Sequence, residues 1–186
     1  MCAAPIRRAD AQRNRERVLA VAREAFAGPE PDISMAEISR RAGVGMATLY
    51  RNFAGRRELL EALYQDEVDA VCEAAGTAEG ETPGAVCTAW LRRFFAFTSG
   101  KRLIAAELLT HVDSDAPVFG RGYARVLAAG RPLLDAAQRS GEIRDDLTLE
   151  QVLEMVVAVG GIEGDAAYRE PMMQVVLDGL RPPADA

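Results

Sequence analysis

The stretch from Arg40 to Phe53, RRAGVGMATLYRNF, admits very few backbones. Gly43 stops a helix, Val44 is an apolar plug, and Gly45 permits a sharp turn into a second helix running through Met46 to Phe53. The helix before the turn has its own start signal. Ser34 can cap it, Glu37 three residues on can return the bond, and Ile33 and Ile38 are placed for a hydrophobic staple. These marks predict a short helix from about Met35 to Ala42. Two short helices joined by a tight glycine turn form a helix-turn-helix unit. Leu49 and Phe53, four residues apart, share its buried face with Ile38 and Val44, which leaves Met46, Ala47, Thr48, Tyr50, Arg51 and Asn52 nearer the outside. A helix of that kind fits the major groove of DNA.

The charge distribution agrees. Although the 186 residues carry a net charge of −6, residues 1–57 hold 11 Arg against 6 Asp and Glu, and the remaining residues are acidic. A basic N-terminal segment suits a phosphate-binding module, and an acidic remainder keeps the rest of the molecule off the duplex. Ahead of the turn, Val18, Leu19, Ala22, Ala25 and Phe26 recur at helical spacing until Gly28-Pro29-Glu30-Pro31 breaks the pattern. Arg7, Arg8, Arg13, Arg15 and Arg17 either follow phosphates or form a solvated face. Arg7 and Arg8, placed before this first helix, are candidates for a flexible arm reaching the adjacent groove.

The residues ISMAEISRRAGVGMATLYRNFAGRRELLEAL resemble the DNA-binding domain of the TetR family of repressors, whose pattern is a capped helix, A-x-x-AGV, T-L-Y-x-x-F and an acidic-apolar helix start. The resemblance covers about Val18 to Leu63. It implies that Thr48 and Tyr50 bind phosphates and that Arg56 takes the phosphate-binding place at the start of the fourth helix, where a lysine is usual. Ser34, Met46, Ala47, Thr48, Tyr50, Arg51, Asn52 and Arg56 are therefore the candidate DNA-contacting residues. Gly45 and Met46 depart from the family pattern, which removes a helix cap and a polar reader. Met46 and Ala47 can still meet a thymine methyl.

Beyond residue 57 the pattern remains helical, so the expected organisation is an all-α chain: a helix-turn-helix domain over 1–57 and an effector-binding and dimerisation domain over 58–186. Leu60, Tyr64, Val68, Val71 and Ala75 mark a long fourth helix, followed by a Gly/Glu/Thr/Pro loop. Val86, Trp90, Phe94 and Phe97 form one stripe with Leu91 and Phe95 beside it. Lys101 to Val112 and Phe119 to Gln138 continue the periodicity, and WLRRFFAFTSGKRLIAAELL resembles the SbtR-like subgroup of C-terminal domains. Trp90, Phe94, Phe97, Leu108, His111, Tyr123, Leu127 and Met155 are candidate walls of an effector pocket, or else core.

Leu147, Thr148, Gln151 and Val152 spell a staple and capping box. After it comes a nearly uncharged helix, and the final segment carries Met172, Met173, Val175, Val176, Leu177 and Leu180. Helices this apolar need partners on several sides, and a twofold copy supplies them. The expected interface uses Val152, Met155, Val156, Val159, Gly160, Met173, Val176 and Leu177. The resemblance agrees, since TetR-family proteins dimerise through their last two helices. A twofold protein implies a palindromic operator with half-sites about one DNA turn apart.

Other classes fit poorly. One histidine and the lack of GxSxG, phosphate-loop and HExxH motifs disfavour an enzyme. Glu107 and His111 can share a helix face, but two ligands do not make a metal site, and no cofactor is indicated. Cys2, Cys72 and Cys87 show no CxxC spacing, and Cys72 and Cys87 are inert thiols unless they meet as a redox pair. No run reaches 18 apolar residues, and no signal peptide is indicated, so a cytoplasmic protein is expected. The reading is a regulator, a repressor released from DNA by a small effector, with a ligand-independent helical DNA-associated protein as the rival.

Overall fold

The computed structural model describes residues 4–27, 33–111 and 117–182, and within them the side chains of all but 4–9, 27 and 99–106. Among the described residues the secondary structure is helical throughout: α1 (Ala4–Ala27), α2 (Met35–Ala42), α3 (Met46–Asn52), α4 (Arg56–Thr77), α5 (Pro83–Leu109), α6 (Pro117–Arg139), α7 (Leu149–Gly160) and α8 (Ala166–Gly179). The chain divides into two compact units. Residues 1–66 and 103–114 make the first, and residues 67–102 and 115–186 make the second, so α4 and α5 each contribute to both.

In the first unit α1, α2 and α3 pack on one another around Val18, Ala22, Phe26, Ile33, Ile38, Leu49 and Phe53, all nearly excluded from solvent. Burying each large side chain of such a set stabilises the fold by about 1.5–3 kcal/mol. The stripe read in α1 is the stripe that is buried. Because α1 begins at Ala4, Arg7 and Arg8 lie within the helix rather than on an arm before it; their side chains lie outside the described residues.

The second unit is organised around Trp90 on α5, which is 1% exposed. Its indole N–H donates to the Val71 carbonyl of α4 at 3.1 Å. On its other side, α6 offers Gly130, where a Cβ would come within 2.1 Å of the indole ring. Phe94 stacks on Trp90 with centroids 6.1 Å apart, and Phe97 on Phe94 at 5.6 Å. The loop after α6 leads to Thr148, where the expected capping box is complete: its hydroxyl accepts from the Gln151 N–H at 3.3 Å, and its N–H donates to the Gln151 side chain at 2.9 Å. Asp165 caps α8 by accepting from the Tyr168 N–H at 2.8 Å.

Candidate nucleic-acid interface and helical body

The α2 boundaries coincide with the expected ones, and Ser34 caps it by accepting from the Glu37 N–H at 3.2 Å. Glu37, however, does not reach back to the cap. Its carboxylate takes Arg40 at 2.6 and 2.7 Å and Arg41 at 2.7 Å, one turn along the helix. The Arg40 hydrogen bonds foremost, and those of Arg41, hold this carboxyl down at about 2. Charge-assisted bonds to guanidinium outcompete a neutral backbone N–H for the same oxygens.

The turn itself depends on Gly43, at φ 63°, ψ 33°, where the left-handed backbone favours a residue without Cβ. The Val44 N–H reaches back to the Ser39 carbonyl at 3.1 Å, and the buried Ser39 hydroxyl donates to the Val44 carbonyl at 2.6 Å. Ser39 thus staples the turn, a role its sequence position at mid-helix does not announce. Gly45 is different from the expectation. Its φ of −69° and ψ of 148° are ordinary extended backbone, so the sharpness of the turn comes from Gly43 and Gly45 serves as an N-cap without a side-chain bond.

On α3, Leu49 is buried and Phe53 closes the end, with the Arg15 guanidinium of α1 stacked 4.8 Å over its ring. Met46, Ala47, Tyr50 and Arg51 are exposed, and Thr48 and Asn52 are half-buried. Arg51 folds along the helix, donating to the Ala47 carbonyl at 3.1 Å and to the Thr48 hydroxyl at 3.0 Å. Asn52 donates to the Thr48 carbonyl at 2.8 Å, so its amide is committed to the helix backbone. The open face is thus a thioether, a methyl, a phenol, a hydroxyl and one guanidinium. On α1, Arg13 pairs with Asp10 and Arg17 donates to Asn14 at 2.6 Å, both along its exposed side.

Arg56 is turned inward rather than towards this face. It donates to Glu107 at 2.8 Å and to the Ile33 carbonyl, and its guanidinium lies 4.9 Å over the Phe26 ring.

The candidate effector residues divide between the units. Leu108, fully buried, and His111, exposed, belong to the first; His111 Nε2 lies 3.6 Å from the Glu107 carboxylate. In the second, Trp90 and Phe94 are packed core, Leu127 is half-buried, and Tyr123 and Met155 are on the surface. Phe97 lines a groove of about 90 Å³ with Glu67, Val71 and Arg93. Burial pushes the Cys87 thiol up to about 12, and burial raises Cys72 as well, which keeps both protonated at neutral pH. Among the described residues no group of three His, Cys, Asp or Glu side chains is placed to hold a metal ion, and no helix is long and apolar enough to cross a membrane.

For the last two helices, Val152, Val156, Gly160, Met173 and Leu177 are buried within the chain itself. The face left open on them carries Met155, Ala158, Tyr168 and Val175, with Val159, Met172 and Val176 half-buried beside it. Sequence periodicity identifies the apolar helices but does not say which of their two apolar sides turns inward.

A short α2, a locked turn and an exposed α3 define a helix-turn-helix DNA-binding protein with an all-helical second unit. Similarity to known proteins places it further. Residues 18–63 match the TetR family of bacterial regulatory proteins, and residues 82–182 match the SbtR-like C-terminal domain of transcriptional regulators. The crystal structure of a TetR transcriptional regulator from Streptomyces coelicolor is 34% identical, with 91% of this chain and 99% of that one covered and a TM-score of 0.76. A TetR regulatory protein from Mycobacterium vanbaalenii is 33% identical over 94% and 99%, with a TM-score of 0.74. A gamma-butyrolactone receptor described as ArpA-like shares the fold at 18% identity, covering 94% of this chain and 90% of that one, TM-score 0.61. A comparison with curated proteins finds no match. The chain belongs to the TetR family: it is a DNA-binding transcriptional regulator and not an enzyme.

Proposed function

We propose that this protein is a homodimeric, cytoplasmic repressor that binds a palindromic operator through residues 1–57 and is released by a small-molecule effector held in residues 58–186. The observation that carries the reading is the α3 surface: Met46, Ala47, Tyr50 and Arg51 stand exposed on a helix whose other side is sealed by Leu49 and Phe53. Thr48 and Tyr50 offer hydroxyls to phosphates, Arg51 offers a guanidinium, and Met46 with Ala47 offers apolar contact to thymine methyls. The exposed Met155, Tyr168 and Val175 support pairing with a second copy, because apolar side chains this open on adjacent helices are stabilised by a partner. Effector binding in the body would shift the population towards dimers whose recognition helices no longer match the half-site spacing.

The α3 assignment is tested by Tyr50→Phe and Met46→Ala in titrations against operator and random duplex. If the Tyr50 hydroxyl meets a phosphate, its removal weakens binding to both duplexes alike; if Met46 reads a base, its truncation changes the preference between them. Unchanged binding in both variants would remove α3 from the interface.

A further inference from the structure

The start of α4 and the end of α5 meet in an ion pair that the helix-turn-helix reading does not use. Arg56, 19% exposed at its side chain, meets partners on separate parts of the first unit. Its Nε donates to Glu107 Oε1 on α5 at 2.8 Å, one terminal nitrogen donates to the Ile33 carbonyl, and the guanidinium plane covers the Phe26 ring of α1. Ile33 immediately precedes Ser34, the cap of α2, so this bond holds the point where the chain enters the helix-turn-helix. Glu107 is itself only 25% exposed and shares the same oxygen with His111 at 3.6 Å. Residues 103–114 belong to the compact unit that contains the helix-turn-helix, and Leu108, next to Glu107, is completely buried there.

A cation that binds a phosphate turns its donors to the DNA side, whereas Nε and one terminal nitrogen of Arg56 are committed to a carboxylate and a carbonyl. Arg's fork can hold both at once; a lysine ammonium on a flexible stem cannot reproduce the planar arrangement over Phe26.

We infer that Arg56 and Glu107 are a pair of positioning residues for DNA binding: the end of α5 is part of the DNA-binding head, and Glu107 holds Arg56 in place so that Arg56 fixes the entry to α2. Arg56 neutralises no phosphate. This rests on the operator-binding reading above. It also runs against simple electrostatics, because removing the acidic charge of Glu107 should help a DNA-binding surface if charge were all that mattered.

The test uses the full-length protein, a palindromic duplex that the wild type selects from a random pool, and titrations across salt concentration normalised to the active fraction. Failure of the wild type to select any duplex would count against the operator reading itself, before a variant is compared. With a selected duplex in hand, Glu107→Gln and Arg56→Lys are each expected to weaken operator binding by about tenfold. Their salt slope should equal the wild type's, and the double variant should be little weaker than either single one. Thermal unfolding of the same samples confirms that each is folded at the assay temperature, which separates positioning from loss of protein. Binding by Arg56→Lys equal to wild type, together with Glu107→Gln as tight or tighter, would overturn the inference. So would an Arg56→Ala variant whose salt slope falls by about 0.9, the signature of one phosphate that is no longer neutralised.

Discussion

Gly43 and Gly45 flank one residue and look equivalent in the sequence, yet only Gly43 has a left-handed backbone. Replacing it by alanine costs about 1–2 kcal/mol through backbone strain alone, since no atom lies within 4 Å of the added Cβ. Gly45→Ser should instead stabilise by a few tenths of a kcal/mol by supplying the missing α3 cap. Denaturant titration of the two variants checks both signs, and equal destabilisation would contradict the assignment. Much of the site was legible at this scale. Leu49, Phe53, Ile38 and Val44 are buried as their spacing requires, and Met46, Ala47 and Tyr50 are exposed. The contacts of Arg56 were not legible, because its partner Glu107 lies 51 residues away and only the fold brings the two together. Nor was Ser39, since a serine in mid-helix gives no sign that its hydroxyl closes a turn.

Among the elements, α2 carries an ionisation that its sequence half reveals. The Glu37 carboxyl is held at about 2 against an ordinary value of 4.5, chiefly by Arg40. A depressed carboxyl contributes stability above its unfolded pKa and loses it as pH falls through the folded one. The melting temperature of wild type should therefore exceed that of Glu37→Gln near neutral pH, and the difference should shrink between about pH 4.5 and 2. A difference independent of pH would point to a cause other than the charge. The α5 and α6 helices offer a second place to test. Gly130→Ala forces a methyl into the indole of Trp90 and should destabilise by about 1–3 kcal/mol. Because Trp90 is the single tryptophan, its fluorescence reports the displacement directly. Glycine's role there was invisible beforehand: periodicity marks Trp90 as buried but does not show what faces it.

At the scale of the molecule, the proposed dimer would pair through α7 and α8, and burial selects which of their apolar residues are left for it. Charged substitutions on the open face, Met155→Glu or Val175→Glu, should convert the dimer to monomer in sedimentation with the helical content kept. Val152→Glu at a buried position should unfold the chain instead. If both kinds of variant remained dimeric and folded, the open face would not be the interface.

Sequence-specific binding by a dimer is decided by footprinting of the purified protein on the DNA upstream of its own gene, at moderate salt with random duplex as competitor. A protected palindrome with half-sites about one helical turn apart is the predicted result. Binding that tracks salt alone and protects no sequence would contradict a sequence-specific dimeric regulator.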